Sequence, residues 1–165
     1  MLFRILMATL FGVAIAFCAN ADDGPTMAII IDDLGDRLPE GRRLVELPAA
    51  LTYSILPHTP HARTLARLAH GLGKEVMLHL PMDSVKRDRL GPGGLTLDMT
   101  RETFRRTLLG DLESIPYARG VNNHMGSLLT RHPGHMDWLM ADLTAAGGLY
   151  FVDSRTARQR VAIRV

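Results

Sequence analysis

The sequence is almost without cysteine: among 165 residues, Cys18 stands alone. It lies in the segment 1–21, which has the parts of a secretory signal, namely a positive start at Arg4, an apolar stretch, and small residues at Ala19 and Ala21. Removal of that segment leaves a chain with no thiol. Disulfides and thiolate metal ligands are therefore excluded, and any transition-metal site has to use histidine and carboxylate side chains.

Long hydrophobic runs are also scarce. The run in the leader, Ile5–Phe17, is shorter than the roughly 20 residues that a bilayer span needs. We therefore predict a cleaved signal, a mature chain 22–165 without a stable membrane span, and a periplasmic or secreted location. The alternative is an uncleaved membrane anchor.

Aromatic residues make up 5% of the chain, and neither sign of charge dominates, since 19 Lys and Arg residues stand against 17 Asp and Glu. Nucleic-acid binding needs a basic surface with interleaved aromatic side chains, and the sequence has no such stripe. Composition therefore excludes nucleic acid as a partner and makes one domain the default, with the oligomeric state left open.

What the mature chain does have is an alternation of strand and helix patterns. Apolar, β-branched runs predict strands, and periodic apolar positions between them predict helices. Five apolar residues in a row open the segment Met27–Asp32, which predicts a strand buried on both faces. The predicted strands are 27–32, 51–56, 75–80, 120–126 and 148–152; the predicted helices are 36–47, 59–71, 100–114 and 132–146; a loop is predicted at 83–97.

This alternation predicts an α/β fold with a parallel sheet, either open or closed into a barrel. A closed (β/α) barrel usually needs more than about 200 residues, which is longer than this chain. The two possibilities are therefore an open five-stranded sheet and a chain that covers part of a larger domain.

Polar residues follow the predicted strands at their carboxyl ends, which lie side by side in a parallel sheet. These residues are Asp32 and Asp33 after the first strand, His79 in the third, Asn122, Asn123 and His124 in the fourth, and Asp153 and Ser154 after the fifth. One carboxylate and two imidazoles with water in the open position make a hydrolytic metal site, and a second carboxylate can act as a general base.

Each of these residues also has an ordinary structural explanation. Asp32 and Asp33 are compatible with a helix cap and a solvated turn, and His79 with a hydrogen-bonded core histidine. Asn122 and Asn123 are compatible with a turn, and Asp153 with a helix cap. Independent caps and core histidines have no reason to share one edge of the sheet, so their joint occurrence favours the site. The remaining histidines are predicted to be structural, among them His58 as an exposed residue near a helix start.

Four segments carry a resemblance to a known family: Ile29–Gly35 (IIIDDLG), His79–Met82 (HLPM), Gly120–Ser127 (GVNNHMGS) and Phe151–Thr156 (FVDSRT). Together they resemble the divergent polysaccharide deacetylases, which are exported relatives of the NodB-type carbohydrate esterases. The resemblance spans about residues 27–156. It implies an irregular (β/α) barrel of the glycoside hydrolase/deacetylase type, a divalent metal, usually zinc, and removal of N- or O-acetyl groups from glycans.

The resemblance also implies roles for individual residues. Asp32 is the candidate base, and Asp33 and His79 are candidate metal ligands. The family's usual second histidine falls at Asp83 in this chain, so His124 is the candidate third ligand. Asp153 is expected to orient a histidine.

Asn122 and Asn123 are further candidates for groups that support the ligands or contact the substrate. A later Gly-His-Pro-His-Pro segment of the family has no counterpart here. We therefore expect residues 22–165 to be the first two-thirds of the family's domain, with a barrel that is incomplete at its C-terminal end.

Two functions from different classes follow from the sequence. The leading hypothesis is a metal-dependent hydrolase that removes acetyl groups from an envelope polysaccharide, its partner being the acetylated glycan. The alternative is a catalytically inactive envelope protein that binds glycan or a partner protein through the barrel rim. A weaker third hypothesis is an open-sheet metallohydrolase that acts on another ester or amide. Metal binding at Asp33, His79 and His124 discriminates the first from the second.

Overall fold

The computed structural model describes residues 27–158, so the predicted signal segment 1–21 and the boundary at residue 22 lie outside the described residues. The predicted alternation of strands and helices is confirmed. The strands are β1 (Ile30–Leu34), β2 (Thr52–Ile55), β3 (Glu75–Met82), β4 (Ala118–Met125) and β5 (Tyr150–Val152). The helices are α1 (Leu38–Val45), α2 (Ala62–Gly71), α3 (Arg101–Ser114) and α4 (Pro133–Ala145), with a 3₁₀ turn at Leu129–Arg131.

The five strands form one parallel sheet in the order β1-β2-β3-β4-β5. Every connection therefore steps to the next strand in the same direction. Because such crossovers are right-handed, steps in one direction place all the helices on one face of the sheet. None of the helices between residues 27 and 158 is long and apolar enough to cross a bilayer.

The hydrophobic core lies between the sheet and the helices. All four helices contribute fully buried side chains to a single cluster, including Val45, Leu65, Phe104 and Leu139. Burying one such side chain stabilises the fold by about 1.5–3 kcal/mol. The core thus fixes the helix-covered face and leaves the other face available for polar side chains.

The sheet curves strongly toward its helix-free face. Neighbouring strands are about 4.8 Å apart, so β4 and β1 would be about 14 Å apart in a flat sheet. Asn122 on β4 nevertheless donates a 2.8 Å hydrogen bond to Asp32 on β1. Because two short side chains cannot span the flat distance, the strands have to roll together as in a barrel wall. The fold is therefore α/β with a parallel sheet that is curved but, within residues 27–158, not closed, which agrees with an incomplete barrel.

The prediction that the first strand is buried on both faces is wrong. Met27 and Ile29 are 81% and 46% exposed, and Ile30 and Ile31 are only partly buried. The physical reason is that β1 is an edge strand among the described residues, with β2 as its one neighbour. An apolar run predicts the strand, but it does not predict how many neighbours cover it.

Two helical glycines test how closely α1 packs on α2. A Cβ added to Gly41 would lie 2.6 Å from Cδ1 of the buried Leu65, whereas a Cβ on Gly110 of α3 would have no neighbour within 4 Å. We expect Gly110→Ala to raise the free energy of unfolding by about 0.5–1 kcal/mol, through helix propensity alone. We expect Gly41→Ala to lower it by about 1–2 kcal/mol, since overpacking outweighs that gain. Urea denaturation measures both, and equal stabilisation by the two variants would contradict the close packing.

Candidate metal centre

The helix-free face carries three polar side chains on adjacent strands. In the parallel pairing of β3 and β4, His79 is the register partner of Asn122, and Pro81 is the partner of His124. Side chains alternate between the two faces along a strand, so His79, Asn122 and His124 all project from the same face.

A bulge in β1 brings two adjacent carboxylates to this place. Between the pairs Ile31–Tyr53 and Leu34–Ile55, β1 advances three residues while β2 advances two. Asp33 has φ of +61°, a left-handed conformation that aspartate tolerates better than most residues. A regular strand would point Asp32 and Asp33 to opposite faces, and bulges commonly redirect a side chain beside a site in this way.

Both carboxylates consequently approach His79. Oδ1 of Asp33 lies 3.1 Å from Nε2 of His79, and Oδ1 of Asp32 lies 3.8 Å from its Nδ1. The two acids thus face opposite edges of one buried imidazole ring.

Asp33, His79 and His124 converge on one point. Oδ1 of Asp33 is 3.0 Å from Nδ1 of His124, and that nitrogen is 3.2 Å from Nε2 of His79. Together with the 3.1 Å contact above, the three atoms form a nearly equilateral triangle. Tetrahedral zinc with bonds of about 2.0–2.1 Å spaces its ligand atoms about 3.3 Å apart, so this donor set fits a divalent ion.

The triangle is open to solvent on one side. The side chain of Asp33 is 64% exposed and that of His124 is 23% exposed, while His79 is buried. Three protein ligands with an open fourth position are the arrangement of catalytic rather than structural zinc sites.

Asn122 determines which nitrogen of His79 faces the triangle. A carboxylate only accepts hydrogen bonds, so the Asn122 group that faces Asp32 at 2.8 Å is the Nδ2 amide. Asn122 Oδ1 then lies 2.8 Å from Nδ1 of His79 and also accepts a hydrogen bond from Ser54. Because Oδ1 is an acceptor, Nδ1 of His79 carries the proton, and its Nε2 presents a lone pair to the cluster.

Burial lowers the pKa of His79, although the Asn122 hydrogen bond and the nearby Asp32 and Asp33 oppose the shift. Burial disfavours the imidazolium because the charged ring loses its hydration. The neutral ring is the form that binds a metal ion, so the environment favours the ligand state.

The remaining predicted residues have different surroundings. Asn123 accepts a hydrogen bond from the Ser154 amide and donates to the Met125 carbonyl, so it links β4 to the segment after β5. Asp153 accepts from the Arg155 amide. The Nδ1 proton of His79 goes to Asn122 and not to Asp153. The expected role of Asp153 in orienting a histidine stays a prediction.

Asp83 stands where the resemblance to the deacetylases implies a second histidine. The Asp83 carboxylate accepts the Leu97 amide, so it organises the loop after β3. His124 lies beside His79 instead. Sequence reasoning missed Ser54, which supports Asn122; an isolated serine in a strand carries no recognisable signal.

The tautomer of His79 can be measured. In metal-free protein above pH 7, we expect His79 to be protonated at Nδ1 alone, because Asn122 Oδ1 accepts that proton. Long-range ¹H–¹⁵N NMR distinguishes the two ring nitrogens. We expect Asn122→Ala to give a tautomer mixture, with Asn123→Ala as the neighbouring control; an Nε2-protonated ring in the parent protein would contradict the assignment.

The chain is similar to proteins from several bacteria. An uncharacterized protein of Escherichia coli (strain K12), YibQ, is 37% identical over 138 residues, which are 84% of this chain and 43% of that protein. An uncharacterized protein of Haemophilus influenzae is 34% identical over 139 residues, which are 84% of this chain and 49% of that protein. The chain therefore spans about half the length of these curated relatives.

A solved structure shows the same fold. The crystal structure of the uncharacterized protein ATU2773 from Agrobacterium tumefaciens C58 matches with a TM-score of 0.77 at 20% identity, over 83% of this chain and 56% of that chain. The sequence profile described as divergent polysaccharide deacetylase matches residues 29–165. The chain belongs to the divergent polysaccharide deacetylase family.

Proposed function

We propose that this protein is a metal-dependent hydrolase that removes acetyl groups from a cell-envelope polysaccharide. The observation that carries the proposal is the convergence of Asp33, His79 and His124, with the second carboxylate, Asp32, beside them. Family membership supports the substrate class. A glycan-binding role alone gives no reason for two carboxylates to face one buried histidine.

In this proposal, Asp33, His79 and His124 hold a divalent ion. The ligand set contains nitrogen and oxygen donors and no thiolate, which suits zinc, and zinc is the metal we propose. When bound, the ion polarises the acetyl carbonyl and lowers the pKa of a bound water.

Asp32 is the proposed general base. Its side chain is 40% exposed, so water and substrate can reach the carboxylate. The Asn122 amide holds its Oδ1, which fixes the direction of the carboxylate relative to His79. The Asp32 carboxylate takes the proton from the attacking water, and Asn122 stays bonded to it through the step.

We further propose that the protein acts outside the cytoplasm, on an acetylated glycan. The support is the signal-like composition of residues 1–21, with its positive start and its apolar stretch ahead of small residues. An acetylated envelope polysaccharide lies outside the cytoplasm, so the proposed location and the proposed substrate class are consistent with each other.

Metal content tests the ligand set. We expect about one zinc per chain in purified protein. We expect Asp33→Ala and His124→Ala to remove it, because the loss of one of three ligands leaves an incomplete site. Asp36→Ala is the matched control, an exposed carboxylate close to Asp33 along the chain. Elemental analysis with circular dichroism as the folding check decides the matter; tight zinc binding that survives His124→Ala would exclude the triad.

Turnover tests the role of Asp32. We expect Asp32→Asn to keep zinc and to lower kcat on acetylated oligosaccharides by about 10²–10⁴-fold, the usual contribution of a general base. Acetate release is the assay. Loss of zinc in this variant would show that Asp32 is a ligand instead of the base.

A further inference from the structure

A second polar cluster, separate from the metal ligands, centres on Asp111 of α3. The Asp111 side chain has no exposed surface, and its Oδ1 lies 2.8 Å from Nε2 of His58 in the β2–α2 loop, residues 56–61. Its Oδ2 is also buried and has no hydrogen-bond partner within residues 27–158. The carboxyl group lies so close to Gly93 that a Cβ there would be 2.1 Å from Oδ1.

These surroundings favour an uncharged acid. An ionised carboxylate would leave Oδ2 as a buried, unsolvated anionic oxygen, whereas a carboxylic acid can donate its proton from Oδ1 to Nε2 of His58. The titratable side chains that line the adjoining cleft of about 480 Å³ are His58, Arg63 and Glu113. Arg63 donates to the main-chain oxygen of Glu113, so the described contacts give Asp111 no cation except a protonated His58. Burial raises the pKa of Asp111 to about 8, in agreement with this assignment.

The loop that contains His58 is bonded to the chain next to Asp33. In the β2–α2 loop, the His61 amide donates to the Gly35 carbonyl, and the Thr59 side chain fills the space that a Cβ on Gly35 would occupy. Gly35 follows Asp33 by two residues. His58 itself has φ of +57°, a strained conformation that persists where surrounding contacts hold it.

The loop that contains Gly93 is connected by main-chain hydrogen bonds to β3 and to the segment after β4. The glycine loop, residues 91–94, leads into Leu95, whose amide donates to Pro81 at the end of β3 and whose carbonyl accepts from Asp83. The Asp83 carbonyl in turn accepts from Leu128, in the segment that follows His124 and β4. Asp111 therefore contacts two loops. The β2–α2 loop is bonded to the end of β1 and to Gly35, and the glycine loop continues into Leu95, which is bonded to β3. The segment after β4 is connected to Leu95 indirectly, through Asp83.

We propose that Asp111 is a positioning residue for the metal centre: as an uncharged acid it joins the β2–α2 loop and the glycine loop to α3, and thereby holds the strand ends that carry Asp33, His79 and His124. The joining of the loops by Asp111 is independent of the proposed function. The effect of Asp111 on the metal rests on the proposed function. Deprotonation of Asp111 releases the loops and loosens the ligand triangle.

Asp111→Asn tests the charge state. Its Nδ2 can donate to His58 as the acid does, but it cannot titrate. Stability that the Asp111 proton supplies is fully present below the unfolded pKa near 4 and is lost as the pH rises through about 8. We therefore expect the melting temperature of Asp111→Asn to exceed that of the parent protein by an increasing margin from about pH 4 to 8, and by a constant margin above. A lower melting temperature for the variant at pH 7 would indicate an ion pair and overturn the proposal.

NMR of the glycine loop gives an independent readout. We expect the Gly93 amide resonance of the parent protein to titrate with a midpoint of about 8, and that of Asp111→Asn to stay constant. An unchanged Gly93 resonance in the parent protein would show that the loop does not sense this group.

Two glycines of one loop test the connection to the metal. Gly93 and Gly91 have similar positive φ angles, +77° and +80°, so alanine strains the backbone equally at both. A Cβ at position 93 would collide with Asp111, whereas one at position 91 would have nothing within 4 Å. At pH 7 we expect Gly93→Ala to weaken zinc binding about tenfold or more relative to Gly91→Ala.

The outcomes separate the two proposals. Equal zinc affinities for the two glycine variants would show that the contacts of Asp111 with the two loops do not affect the metal centre. This result would overturn the positioning role. A parent protein that binds no zinc would overturn the proposed function and with it the effect on the metal, while the Gly93 titration would still decide whether Asp111 joins the loops as an acid.

Discussion

The hydrogen bonds of one buried amide, Asn122, hold the candidate site together. From β4 its side chain donates to Asp32 on β1 and accepts from Ser54 on β2 and His79 on β3. Four strands thus meet at one side chain, which is possible because the sheet is rolled toward its helix-free face. Without this amide, neither the direction of the Asp32 carboxylate nor the tautomer of His79 would be determined.

Much of the fold could be predicted from the sequence, because strand and helix patterns are local. The run before Asp32 and the periodic apolar positions of α2 give the elements and their order, and a parallel order places the carboxyl ends together. Proline is a poor guide to a strand boundary here: the predicted strand 75–80 stops before Pro81, whereas β3 continues to Met82. A proline lacks one amide donor, which ends a strand only where the neighbouring strand needs that donor.

The site was partly predictable, for a physical reason. Chemistry-bearing side chains at strand ends are visible in a sequence, and the structure brings Asp33, His79 and His124 together. The β1 bulge is not visible, since it depends on register with β2. The partner of His58 could not be found either, since Asp111 is a distant acidic residue on a helix, and nothing local distinguishes it from an exposed one.

The amide that joins four strands has a consequence for how this sequence can change over time. A substitution at Asp32, Ser54 or His79 alters the hydrogen bonds available to Asn122, and through it the other two positions. Energies within one hydrogen-bond network do not add. The four positions are therefore energetically coupled, and the cost of a double replacement among them differs from the sum of the two single costs.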